Sequence, residues 1–353
     1  MSDDSRFWIL PYAHVVGQEQ LKLALELSYL APGIGGVLVS GQRGTAKSTA
    51  VRAFAMMMHG HLPVTLPINA TDDRVVGGWH LDKLMRGEPE PQPGLLEEAG
   101  EHGVLYVDEV NLLDDHIVNI ILDAASTGVL TVQRESRDEA IAVRFSLVGT
   151  MNPEEGPLRP QLLDRFGLMV AVEAETSPAA RLAILENVLA LDEARYGGQP
   201  GLLDAGYHAD GELKQALSAA RDRLYDVSVA GIKALCTEVC AAFEVPGHRG
   251  DPVVLLAARA LAAREGSAAA TADHVRAVAP LALRHRRPGA GPGGHVRWAP
   301  EDDATLARLT QPAPPAVTAL PAVTALPPVT ALPAPTALPA PEAPSAPEAS
   351  AGA

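Results

Sequence analysis

The octet Gly41-Gln42-Arg43-Gly44-Thr45-Ala46-Lys47-Ser48 sets a lysine and a hydroxyl at the end of a glycine-punctuated loop. Consecutive backbone N–H groups running into a helix N-terminus cradle phosphate oxygens. Lys47 is then placed for the β- and γ-phosphates of a nucleoside triphosphate, and the Ser48 hydroxyl for Mg²⁺; Thr49 completes the expected nucleotide-binding set. The usual pattern has Gly at position 46. Ala46 is the smallest replacement and fits unless φ must be positive there.

A second motif lies about sixty residues on, Val104-Leu105-Tyr106-Val107-Asp108-Glu109. Four apolar residues make a buried strand, and ligands of an open α/β sheet bind outside the carboxyl ends of its strands. Asp108 is expected to hold Mg²⁺, and Glu109 to orient and polarise the attacking water. Asn152 follows a third apolar run, 145–149, where a neutral amide can bond the water or the γ-phosphate without adding charge. Arg165, in Leu162-Leu163-Asp164-Arg165-Phe166-Gly167, can stabilise transition-state charge; its alternative is an ion pair with Asp164. Arg159 is a rival for the same role. Arg249 opens a helical stretch, where a cation opposes the macrodipole unless an anion shares the spot.

These residues need a scaffold. Apolar runs at 36–40, 104–107, 145–149 and 168–172 read as buried strands, and helical periodicity spans 20–30 and 47–58. Strands alternating with helices predict an α/β parallel-sheet domain over 1–175. Residues 131–133 and 141–143 read as a hairpin around a charged, Ser-containing turn. Residues 176–290 carry Ala, Leu and charge at helical spacing, which predicts a smaller all-α domain of about five helices. Residues 291–353 read as linker and tail. From 312 the tail repeats Ala-Val-Thr-Ala-Leu-Pro with a six-residue period, too Pro-rich for helix and expected to be disordered and extended.

With the motifs assembled, the sequence resembles the AAA+ family, and within it the magnesium chelatase subunit I branch, related to MoxR-type ATPases. The resemblance covers residues 10–287 and is carried by Val16-Gly17-Gln18-Glu19, Asp73-Arg74-Val75-Val76-Gly77-Gly78, Pro93-Gly94-Leu95-Leu96, Leu105 to Leu113, Gly149 to Gly156 and Leu158 to Leu168. It implies Walker A at Gly41–Ser48, Walker B at Asp108 and Glu109, sensor 1 at Asn152, an arginine finger at Arg165 and sensor 2 at Arg249. It also implies ATP and Mg²⁺ as cofactors, a homo-oligomeric and commonly hexameric ring, a second AAA+ subunit bearing a von Willebrand A domain, and a large porphyrin-binding subunit. The activity it implies is ATP hydrolysis driving Mg²⁺ insertion into protoporphyrin IX, a step of chlorophyll synthesis. A MoxR-like remodelling ATPase acting with a von Willebrand A partner on another client would use the same active-site residues, so the client stays open.

Composition narrows the remaining classes. The net charge is −15, and the tail supplies only Glu342 and Glu348 of the acids, so the folded part is acidic and a nucleic-acid clamp is not expected. The run Arg284-His285-Arg286-Arg287 reads as solvated charge at a helix end. Cys236 and Cys240, four apart in a helical pattern, are expected to face the core rather than bind metal or cycle redox state. His59-Gly60-His61 reads as a loop feature. With no apolar run long enough to span a bilayer and no N-terminal signal, a cytoplasmic location is expected.

Overall fold

The computed structural model describes residues 9–311 except 89, 135, 136, 157 and 289–297. The repeat tail and the centre of the expected charged turn lie outside the described residues.

A five-stranded sheet forms the frame, in the order β2-β5-β8-β1-β9. Its strands are β1 (Val37–Gly41), β2 (Val64–Leu66), β5 (Val104–Val107), β8 (Ser146–Met151) and β9 (Leu168–Val172), every pair parallel. A parallel sheet is covered on both faces, and β5 and β8 are accordingly buried at every position. The central order β5-β8-β1 matters most. It brings the carboxyl ends carrying Asp108, Asn152 and Gly41 side by side.

Two antiparallel pairs decorate this frame: β3 (Gly77–Trp79) with β4 (Pro91–Pro93), and β6 (Val129–Arg134) with β7 (Arg137–Ala142). The first helices are α1 (Glu19–Leu30), α2 (Lys47–His59), α3 (Asp72–Val76), α4 (Leu81–Leu84), α5 (Leu95–His102), α6 (Asp115–Thr127) and α7 (Pro160–Leu163). In α6 the buried Ile117, Val118, Ile121 and Leu122 face the sheet. That leaves Asp115, Asn119 and Asp123, at i, i+4 and i+8, as one polar stripe.

After β9 the described chain is helical: α8 (Pro178–Tyr196), α9 (Asp204–Asp222), α10 (Lys233–Ala242), α11 (Gly250–Arg264) and α12 (Ala272–Leu283). The stretch read as linker contains a further helix, α13 (Pro300–Thr310). Asp302 caps it by accepting from the Ala299 N–H at 2.8 Å and pairs with Arg287, whose guanidinium lies over Phe243 and Trp298. An ion pair between the exposed Arg264 and the buried Glu26 ties α11 to α1. Asp210 of α9 accepts from the N–H groups of Tyr12 and Ala13, both at 2.8 Å.

The run 284–287 departs from its sequence reading. His285 and Arg286 are only 4% and 3% exposed. Their polar atoms find backbone carbonyls more than a hundred residues away, which no local pattern signals. The cysteines do face the core, and burial pushes Cys236 up to about 11 and Cys240 to about 12, with Asp251 adding to both. They are inert thiols at neutral pH.

Burial also holds His59 down to about 4, assisted by Lys214, Arg221 and His61, and holds His285 well below the ordinary histidine range, with Arg286 adding to the effect. Both are neutral at pH 7, whereas in the unfolded chain they protonate near pH 6.5. Between about 6.5 and 4 the unfolded state therefore binds more protons, and stability falls as pH drops through that window. The thermal midpoint should be lower at pH 5 than at pH 7, with a smaller difference in His59→Phe. An unchanged difference in that variant would remove His59 from the account.

Candidate active site

The P-loop emerges where β1 ends at Gly41 and α2 begins at Lys47. Gly44 has φ +79° and nothing within 4 Å of the place a side chain would occupy, so this side of the loop faces open space. Ala46 sits at φ +60°, ψ 16°. That is the left-handed region, the one circumstance in which alanine is a poor replacement for glycine; it costs a residue with a Cβ about 1–2 kcal/mol. Ala46→Gly should therefore raise stability by about 0.5–1 kcal/mol, the glycine's extra unfolded-state entropy offsetting part of the relief. A urea midpoint equal to or below that of the parent would contradict this.

Lys47 Nζ donates to the carbonyls of Gly41 at 2.6 Å and Gln42 at 2.7 Å. Burial lowers its pKa, while Asp108, Glu109 and Glu155 act in the opposite direction. Ser48 Oγ lies 2.8 Å from the Tyr106 hydroxyl. That hydroxyl donates to Asp108 Oδ1 at 3.0 Å, and Thr150 Oγ1 donates to the same oxygen at 2.6 Å. The Glu109 N–H in turn donates to Thr150 Oγ1 at 3.1 Å. Ser48, Tyr106, Asp108, Thr150 and Glu109 thus form one network joining the start of α2 to the ends of the neighbouring strands β5 and β8. Burial raises the Tyr106 pKa, keeping it a neutral donor.

Glu109 has φ +54°, an uncommon conformation for a residue with a Cβ and of the kind that clusters at functional sites. Its Oε1 accepts from Arg43 Nη2 at 3.1 Å, and the same guanidinium pairs with Glu155. Gln42 Nε2 donates to Glu154 at 3.3 Å. Asn152 is buried at the end of β8. Its Oδ1 accepts from the Glu154 N–H at 3.3 Å, so it caps a turn and lines the site at once.

These groups enclose a cavity of ≈ 330 Å³, lined by Arg43 to Thr49, Asp108, Glu109, Thr150, Met151 and Asn152. Beside it lies a hollow of ≈ 540 Å³ that shares Gly44, Thr45, Ala46 and Thr49 and continues over Val15, Val16, Gln18, Ile184, Leu185 and Val188. A third, ≈ 620 Å³, between α2 and α9, is lined mainly by apolar residues such as Ile9, Leu10 and Met57 and touches none of the motifs. We take the first two as the site because the phosphate-binding backbone and the carboxylates converge there. The donor set suits a magnesium nucleotide. Ser48 and Asp108 offer hard oxygen ligands, and Mg²⁺ typically takes one or two such groups plus substrate phosphates.

Arg165 and Arg249 are not among the residues lining these cavities. Arg165 is held on α6, Nη1 donating to Asn119 Oδ1 at 2.9 Å and pairing with Asp123 Oδ1 at 2.9 Å. Its neighbour Asp164 pairs instead with Arg286. Arg159 pairs with Asp115, so the α6 stripe carries both candidate arginines. Arg249 is exposed and immediately precedes α11; the Arg286 pKa is lowered by burial, with Arg249 adding to the effect. Three features escaped the sequence reading: Tyr106 and Thr150, which tie the two acids to the P-loop, and the hollow over Val16 and Leu185. Tyr106 and Thr150 stand inside motifs already singled out; the hollow is assembled from segments far apart in the chain.

A parallel sheet bearing a P-loop after β1 and paired acids after β5, two strands away, defines an ATPase of the AAA class. The AAA domain family of the dynein-related subfamily matches residues 36–166, and an AAA lid domain matches residues 233–304. The chain is 40% identical to the magnesium-chelatase 38 kDa subunit of Cereibacter sphaeroides, over 78% of this chain and 91% of that protein. It is 38% identical to the magnesium-chelatase subunit ChlI of Nostoc, over 79% and 84%. A Mycobacterium tuberculosis protein is 46% identical across 78% of this chain, which spans less than half, 44%, of that longer protein. A solved structure from Cytophaga hutchinsonii shares the fold, at a TM-score of 0.61 and 16% identity, over 85% of this chain and 91% of that one. The chain belongs to the magnesium-chelatase ATPase subunit family and is an ATP-hydrolysing enzyme subunit. Among the described residues no helix is long and apolar enough to cross a membrane.

Proposed function

We propose that this chain is the ATPase motor of a magnesium chelatase, working as a ring, probed most directly through the convergence of Lys47, Ser48, Asp108 and Glu109 on one cavity. In this reading the N–H groups of Gly41 to Thr49 bind the phosphates, and Lys47 leaves its carbonyl partners for the β- and γ-oxygens. Ser48 and Asp108 hold Mg²⁺, with Tyr106 and Thr150 orienting them. When bound, the ion neutralises charge on the phosphate oxygens. Glu109 orients the attacking water and Asn152 bonds the water or the γ-phosphate. The hollow over Val15, Val16, Gln18, Ile184, Leu185 and Val188 receives the base. Arg249, on the lid, reaches the phosphates from its own subunit or the next.

Arg165 acts on the ATP of a neighbouring subunit. What supports this is its side chain lying against α6, away from the residues lining its own cavity. Turnover then requires assembly, and head-to-tail packing closes into a ring, hexameric as is common in the family. The partners are a second AAA+ subunit with a von Willebrand A domain and a porphyrin-binding large subunit, and the driven reaction is Mg²⁺ insertion into protoporphyrin IX, in chlorophyll synthesis in the cytoplasm. The test is reconstitution with those two cognate subunits, following the fluorescence change of the porphyrin with and without this chain. ATP-dependent insertion only when the chain is present supports the proposal. ATP turnover without insertion would leave a motor acting on a different client.

A further inference from the structure

We propose that Arg286 is a positioning residue for Arg165, through which the lid sets the posture of the arginine that the subunit presents to its neighbour. The inference rests on the reading of Arg165 as acting across a subunit boundary.

The observation is one buried guanidinium reaching both sides of Arg165. Arg286 Nη2 donates to the carbonyls of Asp164 at 2.9 Å and Phe166 at 2.6 Å, and Nη1 donates to Gly167 O at 2.9 Å. Nε lies 3.3 Å from Asp164 Oδ1, and Nη1 also bonds Ala282 O at the end of α12. Its side chain is 0% exposed. His285 Nε2 bonds the same Phe166 carbonyl at 2.9 Å; since the ring is neutral, that nitrogen carries the proton and donates.

A charge is costly to bury, and apolar packing would need none. Only a planar fork of five donors can meet four carbonyls and a carboxylate at once, which a lysine head group does not match. The clamped backbone has little room elsewhere. A Cβ on Gly167 would lie 2.1 Å from Ile34 O, and the N–H groups of Gly167 and Leu168 both donate to Gly36 O. Arg165 therefore projects from a segment fixed by β1 on one side and by the lid on the other. Arg249 acts electrostatically on Arg286. A lid movement that displaces α12 by a fraction of a turn is thereby transmitted to Arg165, so each subunit's lid regulates the site of its neighbour.

The test mixes full-length subunits. Acceptors carry Arg165→Ala and keep intact sites of their own; donors carry Glu109→Gln and still present Arg165. Rescue of ATP turnover in this base mixture is the reference. A misplacement of about 1 Å costs up to roughly 10²-fold in rate, so adding Arg286→Lys to the donor should cut the rescue by about 10- to 100-fold. The same change in the acceptor should leave it within about twofold, with the Kd of a fluorescent ATP analogue likewise unmoved. A merely structural role would not produce this donor–acceptor asymmetry. An equal effect on both sides, or none, overturns the proposal. If Arg286→Lys fails to fold by circular dichroism, Asp164→Asn replaces it; loss of one charge-assisted contact there should give a donor-specific drop of about threefold or more, and a symmetric or absent drop again overturns it. Absence of rescue in the base mixture refutes the trans reading of Arg165 and this proposal with it, whereas rescue indifferent to Arg286 refutes this proposal alone.

Discussion

Replacing Arg165 with alanine is expected to lower ATP turnover by about 10³- to 10⁵-fold while leaving nucleotide affinity within about twofold. That rate loss corresponds to roughly 4–7 kcal/mol of transition-state stabilisation. The folded state should feel little of it. Arg165 is partly exposed, with a side-chain accessibility of 30%, and Asp123 is 61% exposed, so the pair resembles a surface salt bridge worth about 1 kcal/mol or less. Affinity should hold because Arg165 is not among the residues lining either nucleotide cavity. The measurements are steady-state phosphate release and equilibrium binding of a fluorescent ATP analogue, at protein concentrations that preserve assembly. Normal turnover would remove Arg165 from the mechanism. A parallel loss of binding would place it in the subunit's own pocket.

The placement of the P-loop and of the paired acids was legible because its geometry is local. A strand, a loop of fixed length and a helix put Lys47 and Ser48 at one strand end whatever the rest of the chain does. Two acids closing an apolar run did the same for Asp108 and Glu109. Four of the five sheet strands were likewise readable from buried apolar runs, the three-residue β2 being missed, but the order β2-β5-β8-β1-β9 depends on crossovers that leave no mark on any one strand. The pair β3–β4 was invisible for a different reason: three-residue strands, one of them Pro-Gln-Pro, carry no periodicity. Residues 300–310 were absorbed into the linker, although proline at a first helical position is compatible with helix.

The misread run 284–287 shows the limit most clearly. Charge density predicts solvent only when no buried acceptors are on offer. The carbonyls of Asp164, Phe166 and Gly167 lie at sequence separations of 119 to 122 from Arg286, and nothing within a helical window of the arginine foretells them. The α6 stripe stands midway between these cases. Asp115, Asn119 and Asp123 follow from helical spacing, but their partners Arg159 and Arg165 come from tertiary packing. The hollow we propose for the base is distributed in the same way, from Val15 to Val188, so it could not be read from any one stretch of sequence.

Replacing Glu109 with glutamine is expected to retain ATP and suppress its hydrolysis by about 10²- to 10⁴-fold, the range for losing a positioned general base. The substitution is nearly isosteric, so the strained backbone at φ +54° and the N–H donated to Thr150 are kept. The Mg²⁺-side network through Ser48, Tyr106 and Asp108 does not use the Glu109 carboxylate and should survive. What disappears is the acceptor for a water proton and the ion pair with Arg43. Asp108→Asn is the informative contrast. Asp108 Oδ1 accepts from both Tyr106 and Thr150, so an amide there removes a charge from the Mg²⁺ side and disturbs that network; it should weaken magnesium-dependent binding as well as turnover. Single-turnover assays with radiolabelled ATP and gel filtration of the nucleotide complex separate the two. Unimpaired phosphate release from Glu109→Gln would show that the water is activated elsewhere. Equal retention of ATP by both variants would show that Asp108 does not hold the ion.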